Sequence, residues 1–442
     1  MIGPALVLLL VGASPFARAE PSAVIPASTF GPGGEASTAR TAKADSSGPG
    51  KAEVPRNDRD DKPFKPPSGE TLEFRGPGRE EPDPEVGEVV LGWFGPGDPD
   101  HPDFGDLWRG ATLALEQENA AGGYRGKLPG TNPPVLEGKP FRLLPAWSES
   151  PWKAGIADLT RVVYDQQAWA VIGGVDGTTT HLAVQTALKS HFLLLSPGST
   201  DASADHANVP WLFSLPPSDE RIAPVLAAAV AHAVAGGPFA LVASTDHDSH
   251  AAQVALRRAL GEQRLLPATL VELAPLEADL PALAGRLLRG EPRAVVILAP
   301  SSLAGRVTAA LRGAGFRGTI VGGAPAGRAA FRRAAGAAAE GVITPLLVEP
   351  GPPWEAFAQA YATRWGEPPD EAAAHGYDAV RLVAAAVRRA GLNRALIRDA
   401  VRSLAPWPGA SGIVSWNALG RNDRTVALGS WADGRLRLVR TP

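Results

Sequence analysis

The sequence predicts an α/β protein built on parallel sheets covered on both faces. Two observations carry that reading: short strands apolar along their whole length, and helical periodicity in almost every segment between them. A third, a pause at Pro210–Pro217 followed by a restart of the same alternation, predicts two α/β halves of similar size.

In the first half the elements run in order. Val89–Gly95 (VVLGWFG) is an apolar run ending in glycine. Trp108–Ala121 carries Leu113, Ala114 and Leu115 at helical spacing and stops at Gly122-Gly123. Phe141–Trp147 is the next strand and Lys153–Gln166 the next helix. Trp169–Gly174, the helix Thr178–Ser190 and the strand Phe192–Ser196 follow. In the second half Ser218 is placed to cap a helix with Asp219 and Glu220 in its first turn. Phe239–Ser244, His250–Leu260, Thr269–Leu273, Leu280–Leu288, Ala294–Ala299, Ser302–Arg312 and Thr319–Val321 repeat the pattern. The remainder reads as Val342–Val348, helices at Trp354–Trp365, Glu371–Ala390 and Leu392–Leu404, and a hairpin-like end formed by Gly412–Ser415 and Val426–Val439.

Composition bounds the function. The chain has 442 residues, 44% apolar and 20% charged, enough for two or three domains with real cores. A formal net charge of −3 argues against nucleic acid or an anionic membrane as the main partner. Cysteine is absent, which removes disulfides, thiolate metal sites, cysteine nucleophiles and a lipid-anchored cysteine. No G-x-S-x-G elbow, H-E-x-x-H, P-loop or G-x-G-x-x-G occurs, so no enzymatic activity and no cofactor are expected.

The N-terminus reads as an address and a tether. Ala5–Ala13 (ALVLLLVGA) is too short to span a bilayer, and Ala17-Arg18-Ala19 is a small-x-small site ahead of Glu20. Residues 1–19 are therefore expected to be a secretory signal peptide, directing the chain to the periplasm or another extracytoplasmic space. Residues 20–85 are rich in Ala, Ser, Thr, Gly and Pro and then in charge, without apolar periodicity, and are expected to form a disordered linker. No later run of about 18 apolar residues appears, so a soluble mature chain is expected.

In open parallel sheets ligands bind beyond the carboxyl ends of the strands, at helix N-termini. Three loops there have suitable chemistry. Gly173–Thr180 places Asp176, Gly177, Thr178 and Thr179 at a helix start, where free N–H groups and hydroxyls hold a carboxylate. Ser196–Asp201 places Gly198, Ser199 and Thr200 after the next strand. Ser244–His250, with Asp246 and His250, is read as a polar cleft-edge loop. Its two histidines and two aspartates suggest a metal, but no third compact ligand accompanies them, so no metal site is expected. Trp93, Trp108, Trp147 and Trp152 lie near strand ends or helix starts; most are expected in the core or between the halves, some lining a pocket.

The chain resembles the type I periplasmic solute-binding proteins of ABC transporters, the group that includes the leucine/isoleucine/valine-binding protein. The marks are Asn119–Gly126 (NAAGGYRG), Ala170–Gly174, Ser196–Thr200, Pro217-Ser218-Asp219, Tyr361–Asp370 and Gly376–Val380, in that order. The resemblance implies a two-lobed clamshell, a Venus flytrap, whose chain crosses between lobes near residues 213, 323 and 405. Lobe 1 is then expected at 86–213 with 323–404 and lobe 2 at 214–322 with 405–442. It implies a small-molecule solute and a membrane permease as partners, and a monomer. It also implies that a ligand carboxylate meets Gly177, Thr178 and Gly198, that Thr200 helps hold an ammonium, that Phe104 forms an aromatic wall, and that His250 stands where the other lobe offers a tyrosine.

One position departs from that pattern. Amino-acid binders of the family place a glutamate at the start of a second-lobe helix, and here that window is Pro300-Ser301-Ser302, without an acid. Loss of a buried ammonium's partner costs about 3–5 kcal/mol, some two to three decades in affinity. Either Asp176, Asp246 or Asp248 takes that place, or the ligand is not a standard α-amino acid, and the second is favoured. The expectation is a receptor for amino acids or related small carboxylates or amides, acting by hinge closure, with an aromatic or carboxylate solute favoured over a standard α-amino acid. A sensory or envelope-associated module of the same fold is the alternative.

Overall fold

A computed structural model describes residues 84–126, 138–147, 151–276 and 279–439. The expected signal peptide, and the expected linker as far as residue 83, lie outside them.

Strands β1 (Val89–Phe94), β2 (Phe141–Pro145), β3 (Ala170–Gly173), β4 (Leu193–Ser196) and β5 (Leu212–Ser214) form an all-parallel sheet in the order β2-β1-β3-β4-β5. Helices α1 (Gly105–Ala120), α2 (Ile156–Tyr164), α3 (Gly177–Ser190) and α4 (Ala202–His206) connect them. β1, β3, β4 and β5 are buried at every residue, as expected of strands covered on both faces. The helix expected from Lys153 is a single π turn at Pro151–Gly155 that runs into α2.

The second half begins with α5 (Asp219–Val234) and continues through β6 (Phe239–Ser244), α6 (His247–Glu262), β7 (Thr269–Leu273), α7 (Leu280–Leu288), β8 (Ala294–Leu298), α8 (Ser301–Gly313), β9 (Thr319–Gly322), α9 (Ala329–Ala335) and β10 (Ile343–Leu346). The chain then forms α10 (Pro352–Trp365), α11 (Glu371–Ala390), α12 (Arg394–Leu404), β11 (Trp407–Gly409), β12 (Gly412–Val414), β13 (Ala427–Ala432) and β14 (Arg435–Leu438). The second sheet has the order β14-β13-β10-β9-β8-β6-β7, parallel except at β13 and β14.

These pairings move two of the expected lobe crossings. β10 pairs with β9 and β13, so the chain stays with the second sheet past residue 323 and leaves it only after Leu346. β11 and β12 pair with each other, and Ala410 and Val414 pack into the core of the first half. The last return to the second sheet therefore falls after Arg421, which bridges to Ser214, rather than near 405. The expected hairpin is β13–β14; Gly412–Val414 belongs to the other pair.

α1 and α11 cross at close range, where a Cβ on Gly110 would lie 1.8 Å from the Ala373 carbonyl and one on Gly376 would lie 2.1 Å from that of Leu107. Only glycine lets the two backbones meet there, and α1 is thereby fixed with its N-terminus at the carboxyl ends of the sheet. The tryptophans are structural: Trp93 is fully buried, Trp108 packs on it at 5.4 Å between ring centroids, and Trp152 is exposed. Among the described residues no helix is long and apolar enough to cross a membrane.

Candidate ligand-binding cleft

The carboxyl ends of both sheets face one cavity of about 270 Å³. Asp103 and Phe104 follow β1, Val175, Asp176 and Thr178 follow β3, and Gly198 and Thr200 follow β4. Asp219 opens α5, Asp246 to Ser249 follow β6, Pro300 and Ser301 follow β8, and Gly323 to Pro325 follow β9, with Arg328 beyond. A crevice at strand carboxyl ends is where this sheet architecture leaves exposed backbone amides and loop side chains.

Local chemistry sets each loop. Asp176 caps α3: its Oδ1 accepts from the Thr179 N–H at 2.7 Å and from the Thr179 hydroxyl at 2.6 Å, while Thr179 Oγ1 accepts from the Asp176 N–H at 3.3 Å. This reciprocal capping box leaves Thr178 free to line the cavity. Ser199 is fully buried behind the β4 loop, its N–H donating to Ser196 Oγ at 3.3 Å. Asp246 caps α6 through the Ser249 N–H at 3.0 Å. Ser218 is the N-cap residue of α5, but its side chain makes no capping bond.

Three contacts close the cleft mouth. Asp248 accepts from the Gly177 N–H at 2.8 and 3.0 Å through its two oxygens. Asp103 Oδ1 accepts from both the N–H and the hydroxyl of Ser302 at 3.0 Å. His247 Nε2 lies 2.8 Å from Asp201 Oδ2. Gly177 and Ser302, expected to face a ligand, are thus engaged across the cleft, and Ser301 lines the cavity in place of Ser302. His250 points elsewhere: it is exposed and absent from the lining, and His247, three residues earlier, occupies the edge. No tryptophan lines the cavity, so the expected tryptophan-rich edge is replaced by aspartates.

The cavity is strongly acidic. Asp103, Asp176, Asp219, Asp246 and Asp248 line it against the single guanidinium of Arg328, which donates to the Gly198 carbonyl at 3.4 Å. Burial, then repulsion from Asp176, raises the Asp248 carboxyl to about 7, with the Gly177 N–H opposing. Burial and then repulsion from Asp248 push Asp219 well above the usual carboxylate range. Asp219 is 6% exposed and its Oδ2 is buried without a hydrogen-bond partner, as are Asp246 Oδ2 and Ser301 Oγ. These polar atoms stand in the cavity wall, where an entering group can hydrogen-bond to them.

Of the residues expected at a ligand, Phe104, Asp176, Thr178, Gly198, Thr200 and Asp246 line the cavity, while Gly177, Thr179, Ser199, His250 and Ser302 do not. Asp103, Asp219, Ser301 and Arg328 also line it and are not among the expected residues, while Asp248 enters the expectations only as a substitute for the missing glutamate. Asp219 carries a signal in the sequence, since it stands at the first turn of a helix that follows a strand, where an acid is also an ordinary helix-start residue.

Residues 96–435 match the periplasmic binding protein family, and the chain belongs to it. The fold is that of its two-lobed type I members, which are solute-binding receptors, and membership implies an extracytoplasmic location. The branched-chain amino acid transporter substrate binding protein LivJ of Streptococcus pneumoniae, in complex with isoleucine, superposes with a TM-score of 0.70 at 22% identity, covering 80% of this chain and 99% of that one. A solute-binding protein of R. palustris in complex with benzoate gives 0.68 at 16% identity, covering 80% and 96%. An amino acid binding protein of Pseudomonas aeruginosa is 27% identical over 137 residues, 31% of this chain; the match spans 33% of that relative.

Proposed function

We propose that this chain is the substrate-binding component of an ABC transporter, exported through its N-terminal signal peptide, and that it captures a small solute bearing an ammonium or amidinium group, amino acids included. The observation that carries the reading is the unpartnered Asp219 Oδ2 at the floor of a cavity lined by five aspartates. The unpartnered Asp219 Oδ2 gains a donor from an entering ammonium, and a solute that is only an anion finds a single cationic arginine in the lining, Arg328. A volume near 270 Å³ fits a small solute. The isoleucine complex of LivJ and the name of the Pseudomonas aeruginosa relative support an amino acid; the benzoate complex shows that the fold also serves solutes without an ammonium.

In this reading Asp219, Asp246 and Asp248 hold the cationic end, and Thr178, Thr200 and Arg328 hold the polar remainder. Phe104, stacked on His101 at 5.2 Å between ring centroids, walls the apolar part. Closure brings Asp248 and Ser302 against the first lobe, so solute capture and the shape presented to a permease are one event.

Thermal-shift and calorimetric titration with paired solutes tests it. The panel sets branched-chain and basic amino acids beside their decarboxylated amines, with benzoate and acetate as anions. Amine-bearing solutes are expected to raise Tm and the simple anions to leave it unchanged. Stabilisation by the anions alone, or by nothing in the panel, overturns the reading.

A further inference from the structure

We propose that His181, Asp201 and His247 form a binding site for a divalent transition-metal ion that clasps the two lobes together at the cleft edge. His181 lies in the second turn of α3 and Asp201 precedes α4, both in the first half; His247 opens α6 in the second. Their ligand atoms, two imidazole Nε2 and one carboxylate oxygen, lie within 4.8 Å of one another. His181 Nε2 is 2.9 Å and His247 Nε2 is 2.8 Å from the same Asp201 Oδ2. Donors coordinating one zinc ion tetrahedrally at about 2.0–2.2 Å sit roughly 3.3–3.6 Å apart, so an outward shift of about half an ångström in each imidazole admits an ion among them.

The surroundings favour an ion over a bare ion pair. The two imidazole rings meet edge to face at 86°, with centroids 5.3 Å apart, and both Nε2 atoms face the same carboxylate oxygen. The Ser203 hydroxyl stands in the site itself, 2.9 Å from Asp201 Oδ2 and 3.0 Å from His181 Nε2. Asp201 is 1% exposed; the Ser203 N–H donates to its far oxygen, Oδ1, at 2.8 Å, and Arg421 donates to its carbonyl at 2.8 Å. Such outer contacts orient a metal-binding carboxylate. The histidine side chains are 35% and 43% exposed, which leaves water access to the remaining coordination positions. Asp248 and Asp205 lie close enough to act electrostatically on His181, yet each is engaged elsewhere, by the Gly177 N–H and by Arg421. They add negative potential without competing as ligands. Two imidazoles and one carboxylate with open positions suit zinc, nickel or ferrous iron rather than magnesium or calcium.

The site is separate from the solute cavity except for the shared His247, and its test needs no solute. Zinc chloride is titrated into the tag-free purified protein at pH 7.5 by calorimetry, with magnesium as control, and cobalt is followed by its visible spectrum. One zinc ion per chain is expected to bind, with magnesium silent and binding at least tenfold weaker at pH 5.5 as the imidazoles protonate. His181→Ala and His247→Ala, both at partly exposed positions, are each expected to weaken zinc binding at least 100-fold while circular dichroism stays unchanged. His250→Ala, an exposed neighbour on the same helix, is expected to bind zinc as the parent does. Small-angle scattering is expected to show a smaller radius of gyration with zinc in the parent and no change in His247→Ala. Absence of zinc binding in the parent overturns the proposal, as does undiminished binding in both histidine variants or equal loss in His250→Ala.

Discussion

The Asp248 carboxylate sits on the backbone N–H of Gly177, at 2.8 and 3.0 Å, across the cleft from the helix whose N-terminus that amide opens. A helix N-terminus is a natural seat for an anion, and here the protein's own carboxylate takes it. A side chain at 177 would end that arrangement: a Cβ there would lie 2.3 Å from Asp248 Oδ1 and 2.9 Å from His247 Cδ2.

Gly177→Ala is therefore expected to hold the lobes apart while leaving each lobe folded. Solute affinity should fall at least tenfold, with Tm of the solute-free protein changing by no more than a few degrees. Calorimetric titration beside a thermal melt checks both halves; wild-type affinity would refute the closed geometry.

Solute affinity should also depend on pH. Asp248, raised to about 7, is partly protonated near neutrality and in that form cannot pair with an ammonium; burial and repulsion from Asp248 shift Asp219 in the same direction. Binding of a cationic solute is expected to weaken as pH falls from 8 to 5.5, by up to about tenfold per pH unit per group, and to release protons. Titrations in buffers of different ionisation enthalpy measure that release directly.

Arg421 joins the β4 loop to the returning chain. It is 1% exposed, its Nε donates to Asp205 Oδ2 at 2.6 Å and its Nη2 to Asp205 Oδ1 at 3.0 Å, and it reaches the carbonyls of Ser199 at 2.5 Å and Asp201 at 2.8 Å. Arg421→Ala leaves Asp205 buried without its partner and is expected to cost about 3–5 kcal/mol. Denaturant unfolding checks the magnitude. Arg421→Lys should recover only part of it, because an ammonium lacks the planar fork.

The buried start of α11 predicts the pH of maximal stability. Burial raises Asp378 to about 6, Asp370 to about 7 and Glu371 to about 8, against partial relief from backbone N–H groups. Folding thus favours their protonated forms, and the stability they contribute is full below about 4 and lost as pH rises toward 8. Buried His375 is pushed well below its usual range, so its contribution is lost as pH falls below about 6.5. Together they place the maximum in mildly acidic solution, and Tm should be higher at pH 6.5 than at pH 8.5. A melt series across that range decides it.

Much of the fold was legible locally. Strands such as Ala294–Leu298 and Leu193–Ser196 are apolar throughout because both faces are covered, and that shows in a run of four or five residues. The lobe assignment of Ile343–Leu346 was not legible, because strand pairing is a choice among partners far apart in the chain. The cleft divides in the same way. The Asp176–Thr179 capping box is local and readable, whereas the bond from Gly177 to Asp248 spans 71 positions and that from Ser302 to Asp103 spans 199.

Read alone, then, the chain determined its alternation of strand and helix, its two halves and the loops that reach the strand ends, since all of these follow from periodicity and composition over short windows. Folding in three dimensions decided which charges meet. His181, Asp201 and His247 converge, and Asp219 Oδ2 is left without a donor, because separate strand-end loops are carried to one cleft. That convergence depends on sheet order and on contacts between the lobes, which no short window of sequence contains.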